Sequence, residues 1–296
     1  MRALYDASPP LPDWRTLTPG ELRALPTVLT AAPEAVAGVV QRSIPSPGGW
    51  TRLRIYRPEG VGPLPAIVYM HGGGMVFGGL DGTDRTCRAI TNSGRCVVVS
   101  VEYRLAPETK FPGALDDVYT ALEWVSRSAE ELGVDPRRIG VGGFSAGGNL
   151  AAAVALLSRD RAGPPIAFQL LVMPMLDSDC DSSSMREFAD GPVVSRDGVR
   201  WTWDLYLRSP EDAKDPYASP SAAKDLGRLP PAFVVTAECD PLCAEGESYA
   251  DRLRAAGVEV ASRRYDGMPH GFLGFASLPD AKRALADIGE AIRSRL

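Results

Sequence analysis

The chain has 296 residues, 45% of them hydrophobic and 23% charged, enough to bury the core of one large domain. Its net charge is −5, and its 32 basic residues are scattered, which excludes the clustered basic footprint of a nucleic-acid binder. No apolar run reaches the length of a membrane span, and the five cysteines follow neither a disulfide framework nor a zinc-ligand spacing.

Asp6, Pro9, Pro10 and Pro12 stand where a secretory leader would need an apolar stretch. A cytoplasmic protein with free thiols, no membrane segment and no bound metal is therefore expected. Residues 1–36 are punctuated by prolines, with short helical pieces. From about residue 37, β-rich runs alternate with helical stretches. Val39–Ile44 and Arg52–Tyr56 flank a Pro-Ser-Pro-Gly-Gly turn at Pro45–Gly49, which predicts an antiparallel hairpin at one sheet edge. Further strands are predicted at Ala66–Met70, Cys96–Val101, Ile139–Phe144, Phe168–Met173, Phe233–Thr236 and Val258–Tyr265. Several are continuous apolar runs, the pattern of a parallel sheet covered on both faces. Helices are predicted over Leu115–Leu132, Ala146–Ser158, Glu245–Ala256 and Pro279–Arg295. This alternation predicts a doubly wound α/β sheet. Residues 182–212 interrupt it, as do residues 1–36. Trp14, Trp201 and Trp203 lie in these two segments, with Phe188 and Tyr206 nearby, so together they are read as a cap on a single domain spanning residues 1–296.

Two glycine-rich motifs carry the chemistry. Gly143-Phe144-Ser145-Ala146-Gly147 follows an apolar run and precedes a helical segment, the strand–turn–helix setting of a nucleophile elbow. His71-Gly72-Gly73-Gly74 follows another apolar run, and its bare backbone lets N–H groups approach a developing oxyanion. A serine nucleophile also needs a base and a carboxylate to orient that base. The chain has two histidines. His71 sits beside the prospective oxyanion donors, where a base would compete with the carbonyl oxygen. His270, in a loop after the last predicted strand, is the better base. The carboxylate is sought after a strand between serine and histidine. Asp240 is favoured because Pro241 extends its backbone and fixes the turn. Glu238, closer to the strand end, is the competing candidate.

The sequence resembles the hormone-sensitive lipase family of α/β-hydrolases, in its bacterial carboxylesterase branch. The resemblance rests on His71–Gly74, Tyr103–Glu108, Phe111-Pro112 with Ala114–Asp117, Ser145–Leu150, Asp215–Pro220, Asp240–Leu242 and His270–Phe272 in family order. It implies an α/β-hydrolase fold: a mostly parallel eight-stranded sheet with helices on both faces and a helical cap. It further implies Ser145 as nucleophile, His270 as base, Asp240 as its orienting acid, and the N–H groups of Gly73, Gly74 and Ala146 as oxyanion hole. His71 and Gly72 would shape the loop, and Glu108 and Asp117 would anchor loops. Three positions depart from the family pattern. Phe144 replaces the usual acidic residue or threonine before the nucleophile, and Cys243 and Ala244 replace an arginine and an aspartate after the acid.

The expected activity is hydrolysis of short- to medium-chain acyl esters through an acyl-enzyme, with no cofactor. Phe144, Trp201 and Tyr206 are the expected substrate-lining residues. An amidase, lactonase or deacetylase acting on a specialised metabolite is the rival within hydrolases. A non-catalytic ligand-binding receptor on the same fold is the rival from another class. The expected partner is a small-molecule ester, and family analogy leaves homodimerisation through an edge strand open.

Overall fold

The computed structural model describes residues 13–24, 32–191 and 193–296. The parts of the expected cap at residues 1–12, 25–31 and 192 lie outside the described residues. The strands are β1 (Gly38–Ser46), β2 (Gly49–Arg57), β3 (Leu64–Met70), β4 (Val97–Glu102), β5 (Val134–Phe144), β6 (Phe168–Val172), β7 (Ala232–Cys239) and β8 (Val260–Pro269). They form one eight-stranded sheet in the order β1-β2-β4-β3-β5-β6-β7-β8. β1 and β2 pair antiparallel, as do β2 and β4, and every other pairing is parallel. The expected hairpin is present but tighter than its motif suggested. Ser46 pairs with Gly49, which leaves Pro47 and Gly48 as the turn.

The described helices are α1 (Pro19–Ala24), α2 (Leu80–Gly94), α3 (Gly113–Arg127), α4 (Ala146–Asp160), α5 (Ser183–Glu187), α6 (Arg196–Tyr206), α7 (Cys243–Ala255) and α8 (Pro279–Arg295). Central strands β3, β4 and β6 are buried along almost their whole length, which explains their unbroken apolar runs. Two hydrophobic clusters result, one on each face of the sheet. The larger contains Val68, Val99, Val141, Leu171 and Val234, with residues of α3, α4 and α7. The other contains Ile67, Val98, Leu170 and Val235, with residues of α2 and α8. Helix α4 is buried from Ala146 through Ser158, and its alanine-rich sequence lets it lie close against β5.

Helix α2 was not among the predicted helices. Gly82, Thr83, Thr91 and Asn92 dilute its helical pattern, and burial of Leu80, Cys87, Ala89 and Ile90 compensates for weak propensity. No helix among the described residues is long and apolar enough to cross a membrane.

Candidate active site

Parallel register brings the sequence motifs to one edge of the sheet. Met70 pairs with Gly143, Phe144 with Val172, and Cys239 with Pro269. The residues that follow these partners include His71, Ser145, Asp240 and His270, so all four leave the sheet at the C-terminal ends of its strands. Ligands bind there in open α/β sheets.

Ser145 has φ 57° and ψ −118°, outside the regions comfortable for a residue with a Cβ. Such a conformation costs about 1–3 kcal/mol and persists only where its surroundings over-determine it. Here the Ser145 N–H donates to the Val172 carbonyl at 2.9 Å. Its own carbonyl accepts from the N–H groups of Asn149 and Met175, each at 3.1 Å. The Asn149 amide then donates to the Met175 and Ala218 carbonyls at 2.8 and 2.9 Å, tying α4 to the loops around the elbow. A Cβ on Gly143 would lie 2.8 Å from the Met70 carbonyl oxygen, and one on Gly147 2.6 Å from that of His71. Both flanking glycines are therefore required by close approach. Ala146 opens α4, so its N–H belongs to the electropositive helix start.

The glycine loop is turned by its own backbone. The Gly73 carbonyl accepts from Val76 and Phe77 N–H groups at 2.9 and 3.0 Å. Gly73 and Gly74 have φ 110° and 59°, and a Cβ on them would strike the Phe77 backbone and the Thr202 side chain respectively. Among the described residues, the N–H groups of Gly73 and Gly74 make no hydrogen bond. His71 is buried and stacks on Tyr103 with ring centroids 4.1 Å apart. Its Nδ1 lies 2.7 Å from the Gly72 carbonyl, and the Tyr103 hydroxyl donates to the His71 carbonyl at 2.8 Å. Burial pushes this imidazole down to about 4, so it is neutral at ordinary pH. Its place is inside the loop's framework.

The other histidine is differently engaged. His270 Nδ1 lies 2.7 Å from Asp240 Oδ2, and the second Asp240 oxygen accepts the Leu242 N–H at 2.9 Å. Asp240 is fully buried and His270 nearly so, with 4% of its surface exposed. Glu238 is exposed and accepts the Gly267 N–H, so it braces the end of β8 ahead of the histidine loop. The half-buried Phe144 ring lies 4.9 Å from the His270 ring, centroid to centroid, at 32°. The serine turn and the histidine loop are therefore in direct contact.

Residues of the two stretches that break the alternation of strands and helices meet at this edge. Trp14 packs edge-on against Phe77 at 5.2 Å, and Arg15 pairs with Asp197 of α6 at 2.9 Å. Arg23 of α1 grips Glu108 with a two-pronged ion pair at 2.9 and 2.7 Å, and also donates to the Val76 and Ala106 carbonyls. Glu108 thus fastens the N-terminal segment, while Asp117 accepts from the Arg104 backbone and side chain. Trp201 of α6 is half-buried. Tyr206 departs from its expected place lining the substrate: it has no exposed surface and packs against Phe111 and Trp203. Aromatic content alone does not reveal which face of α6 turns inward.

Three further residues escaped the sequence reading. Thr202 closes over Gly74, and Ser184 of α5 donates to the Pro241 carbonyl while accepting the Ala244 N–H. Buried Glu245 accepts the Leu176 N–H at 2.6 Å, and burial holds its carboxyl well above the usual carboxylate range. Polar residues in helical runs give no sequence signal of such long-range contacts. Burial likewise pushes the thiols of Cys87, Cys96, Cys180 and Cys243 up to about 12, so they stay protonated and are poor nucleophiles.

Comparison with known proteins identifies the family. Residues 67–274 match a family model described as the alpha/beta hydrolase fold. The chain is 43% identical over 248 residues to carboxylesterase NlhH of Mycobacterium tuberculosis, covering 82% of this chain and 77% of that protein. It is 41% identical over 223 residues to an arylesterase of Saccharolobus solfataricus, covering 75% and 72% of the two chains. The crystal structure of EstE1, a thermostable carboxylesterase cloned from a metagenomic library, superposes with a TM-score of 0.90 at 43% identity. That match covers 95% of this chain and 99% of EstE1.

Proposed function

The chain belongs to the alpha/beta hydrolase family, in its hormone-sensitive-lipase-like esterase branch, and is a carboxylic ester hydrolase; from that premise we propose that Ser145, His270 and Asp240 act as its triad. The observation that carries the assignment is the buried Asp240–His270 pair at 2.7 Å, its imidazole packed against the residue that precedes the elbow serine. His270 takes the Ser145 proton as the hydroxyl attacks the ester carbonyl. Asp240 holds the imidazole with Nδ1 protonated, leaving Nε2 to accept. The oxyanion is received by the N–H groups of Gly73, Gly74 and Ala146, and each such donor is worth about 3–4 kcal/mol in comparable sites. Collapse releases the alcohol. Water activated by the same histidine then clears the acyl-enzyme.

Residues 1–36 and 182–212 act as cap segments of a single hydrolase domain. Their contacts at Phe77 and Gly74 support short- to medium-chain acyl groups as substrates, because a covered pocket limits acyl length. Half-buried Trp201 and Phe144 are the candidates for contact with substrate. Five cysteines without a disulfide support a reducing, cytoplasmic setting. Strands β1 and β8 are the two edges of the sheet, and a homodimer would pair through an edge strand.

The test is intact-protein mass after treatment with a fluorophosphonate, followed by peptide mapping and 4-nitrophenyl ester kinetics. A single adduct on Ser145, absent from Ser145→Ala and His270→Ala, is the expected result. Ser145→Ala should lose at least a thousandfold in kcat with its fold intact. Retention of a tenth of wild-type turnover by that variant would overturn the nucleophile assignment.

A further inference from the structure

Phe144 stands where two functional loops converge. A Cβ on Gly72 would lie 2.6 Å from Phe144 Cδ1 and 2.9 Å from Cε1, so one side of the ring is in close contact with the glycine loop. The far end of the same ring faces the histidine loop. Cζ would be 3.6 Å from a Cβ on Gly271, and the ring centroid is 4.9 Å from that of His270. The ring's base is fixed, because Phe144 ends β5 and pairs with Val172. One aromatic ring therefore fills the space between the loop offering oxyanion donors and the loop carrying the base.

We propose that Phe144 is a positioning residue: its ring sets the separation between the glycine loop at Gly72 and the loop carrying His270. This rests on the catalytic roles assigned above to those loops. A wedge differs from inert packing in transmitting displacement. Crowding the ring at Gly72 pushes its far end toward the histidine loop, which it faces at Gly271 and His270. Gly72 itself lies outside the left-handed backbone region, so a methyl there meets the Phe144 ring as its closest obstacle. The Phe144 carbonyl oxygen, at 3.1 Å, is the next.

A double-mutant cycle tests the wedge, using Gly72→Ala, Phe144→Ala and the pair, with kcat and KM measured on 4-nitrophenyl butyrate. Gly72→Ala should lower kcat about a hundredfold by driving the ring against His270. Phe144→Ala should lower kcat about tenfold, equivalent to about 1.4 kcal/mol, with KM changed less than about threefold. Because the ring is the obstacle, Gly72→Ala/Phe144→Ala should recover about tenfold over Gly72→Ala alone, a non-additivity that independent packing defects do not produce. A double variant whose loss equals the product of the two single losses would overturn the proposal. If Gly72→Ala does not fold, the rate of Ser145 phosphonylation in Phe144→Ala decides. A tenfold slower rate in folded protein supports the wedge, and an unchanged rate overturns it. Wild-type labelling separates the two levels of argument. No adduct on wild-type Ser145 defeats the catalytic reading, whereas a labelled wild type with an additive cycle defeats only the wedge.

Discussion

Replacing Asp240 with asparagine separates the two jobs of that carboxylate. Both of its oxygens are acceptors, one for the Leu242 N–H at 2.9 Å and one for His270 Nδ1 at 2.7 Å. The side chain is fully buried, so water does not compensate for a mismatch. Asparagine has one acceptor oxygen, and its NH₂ must face one of the two donors. Facing Leu242 would set donor against donor and leave a buried N–H unpaired, costing about 1–3 kcal/mol. Facing His270 costs less, because a neutral imidazole can move its proton to Nε2 and accept at Nδ1. The second arrangement therefore wins, and it removes the lone pair that receives the Ser145 proton. Turnover should fall by about 10³ to 10⁴, equivalent to about 4–5.5 kcal/mol, while stability changes by less than about 1.5 kcal/mol. Kinetics with 4-nitrophenyl butyrate and thermal unfolding measure both quantities. The ¹⁵N shifts of the imidazoles report the tautomer directly, since the chain has two histidines to assign. A folded Asp240→Asn enzyme within tenfold of wild type would refute the reasoning, as would one with the proton still on Nδ1.

Two buried groups give pH effects of opposite sign. The folded His71 value of about 4 lies below its ordinary 6.5, so the unfolded chain takes up that proton first. Its contribution to stability is whole above about pH 6.5 and is lost as pH falls toward about 4, by about 3 kcal/mol in all. Urea unfolding at pH 7 and pH 4.5 should therefore narrow the gap between wild type and His71→Asn on acidification, and parallel curves would contradict it. Glu245 behaves conversely, because its folded value is raised above the ordinary 4.5. Its contribution is present below that value and is lost as pH rises through the folded value. Glu245→Gln keeps the acceptor for the Leu176 N–H, so it should gain stability relative to wild type between pH 5 and pH 8. A pH-independent difference would refute that.

The parts of this site legible in the sequence are those set by local backbone demands. Ser145 and its glycines were readable because a tight strand-to-helix turn restricts what can flank it. His270 emerged by elimination between two histidines. Asp240 and Glu238 could not be separated firmly from chain order, since both follow the predicted strand Phe233–Thr236, whereas β7 runs on through Glu238 to Cys239. The structure distinguishes them by burial and by partner: Asp240 holds the imidazole, while exposed Glu238 holds the Gly267 N–H. Strand positions were readable because central strands are apolar throughout. Helix α2 was not, because its helical state depends on packing against α8 and β4 more than on its residues' propensities.

The individual contacts of residues 182–212 were not legible in the sequence, and their positions explain why that matters. Thr202 presses on Gly74, Ser184 joins the backbone on either side of Leu242, and Val193 Cγ1 lies 3.9 Å from where a Cβ on Gly271 would stand. The glycine loop, the turn after Asp240 and the histidine loop thus each have a contact from residues 182–212, made by a small or medium side chain with no periodicity to mark it. The glycine loop and the histidine loop are also joined beneath the cap by Phe144. A change of residue at Thr202 or Val193 therefore acts on the geometry of the glycine and histidine loops. Selectivity and turnover should change together in cap variants of this chain, because the surfaces that admit substrate also brace the groups that react with it.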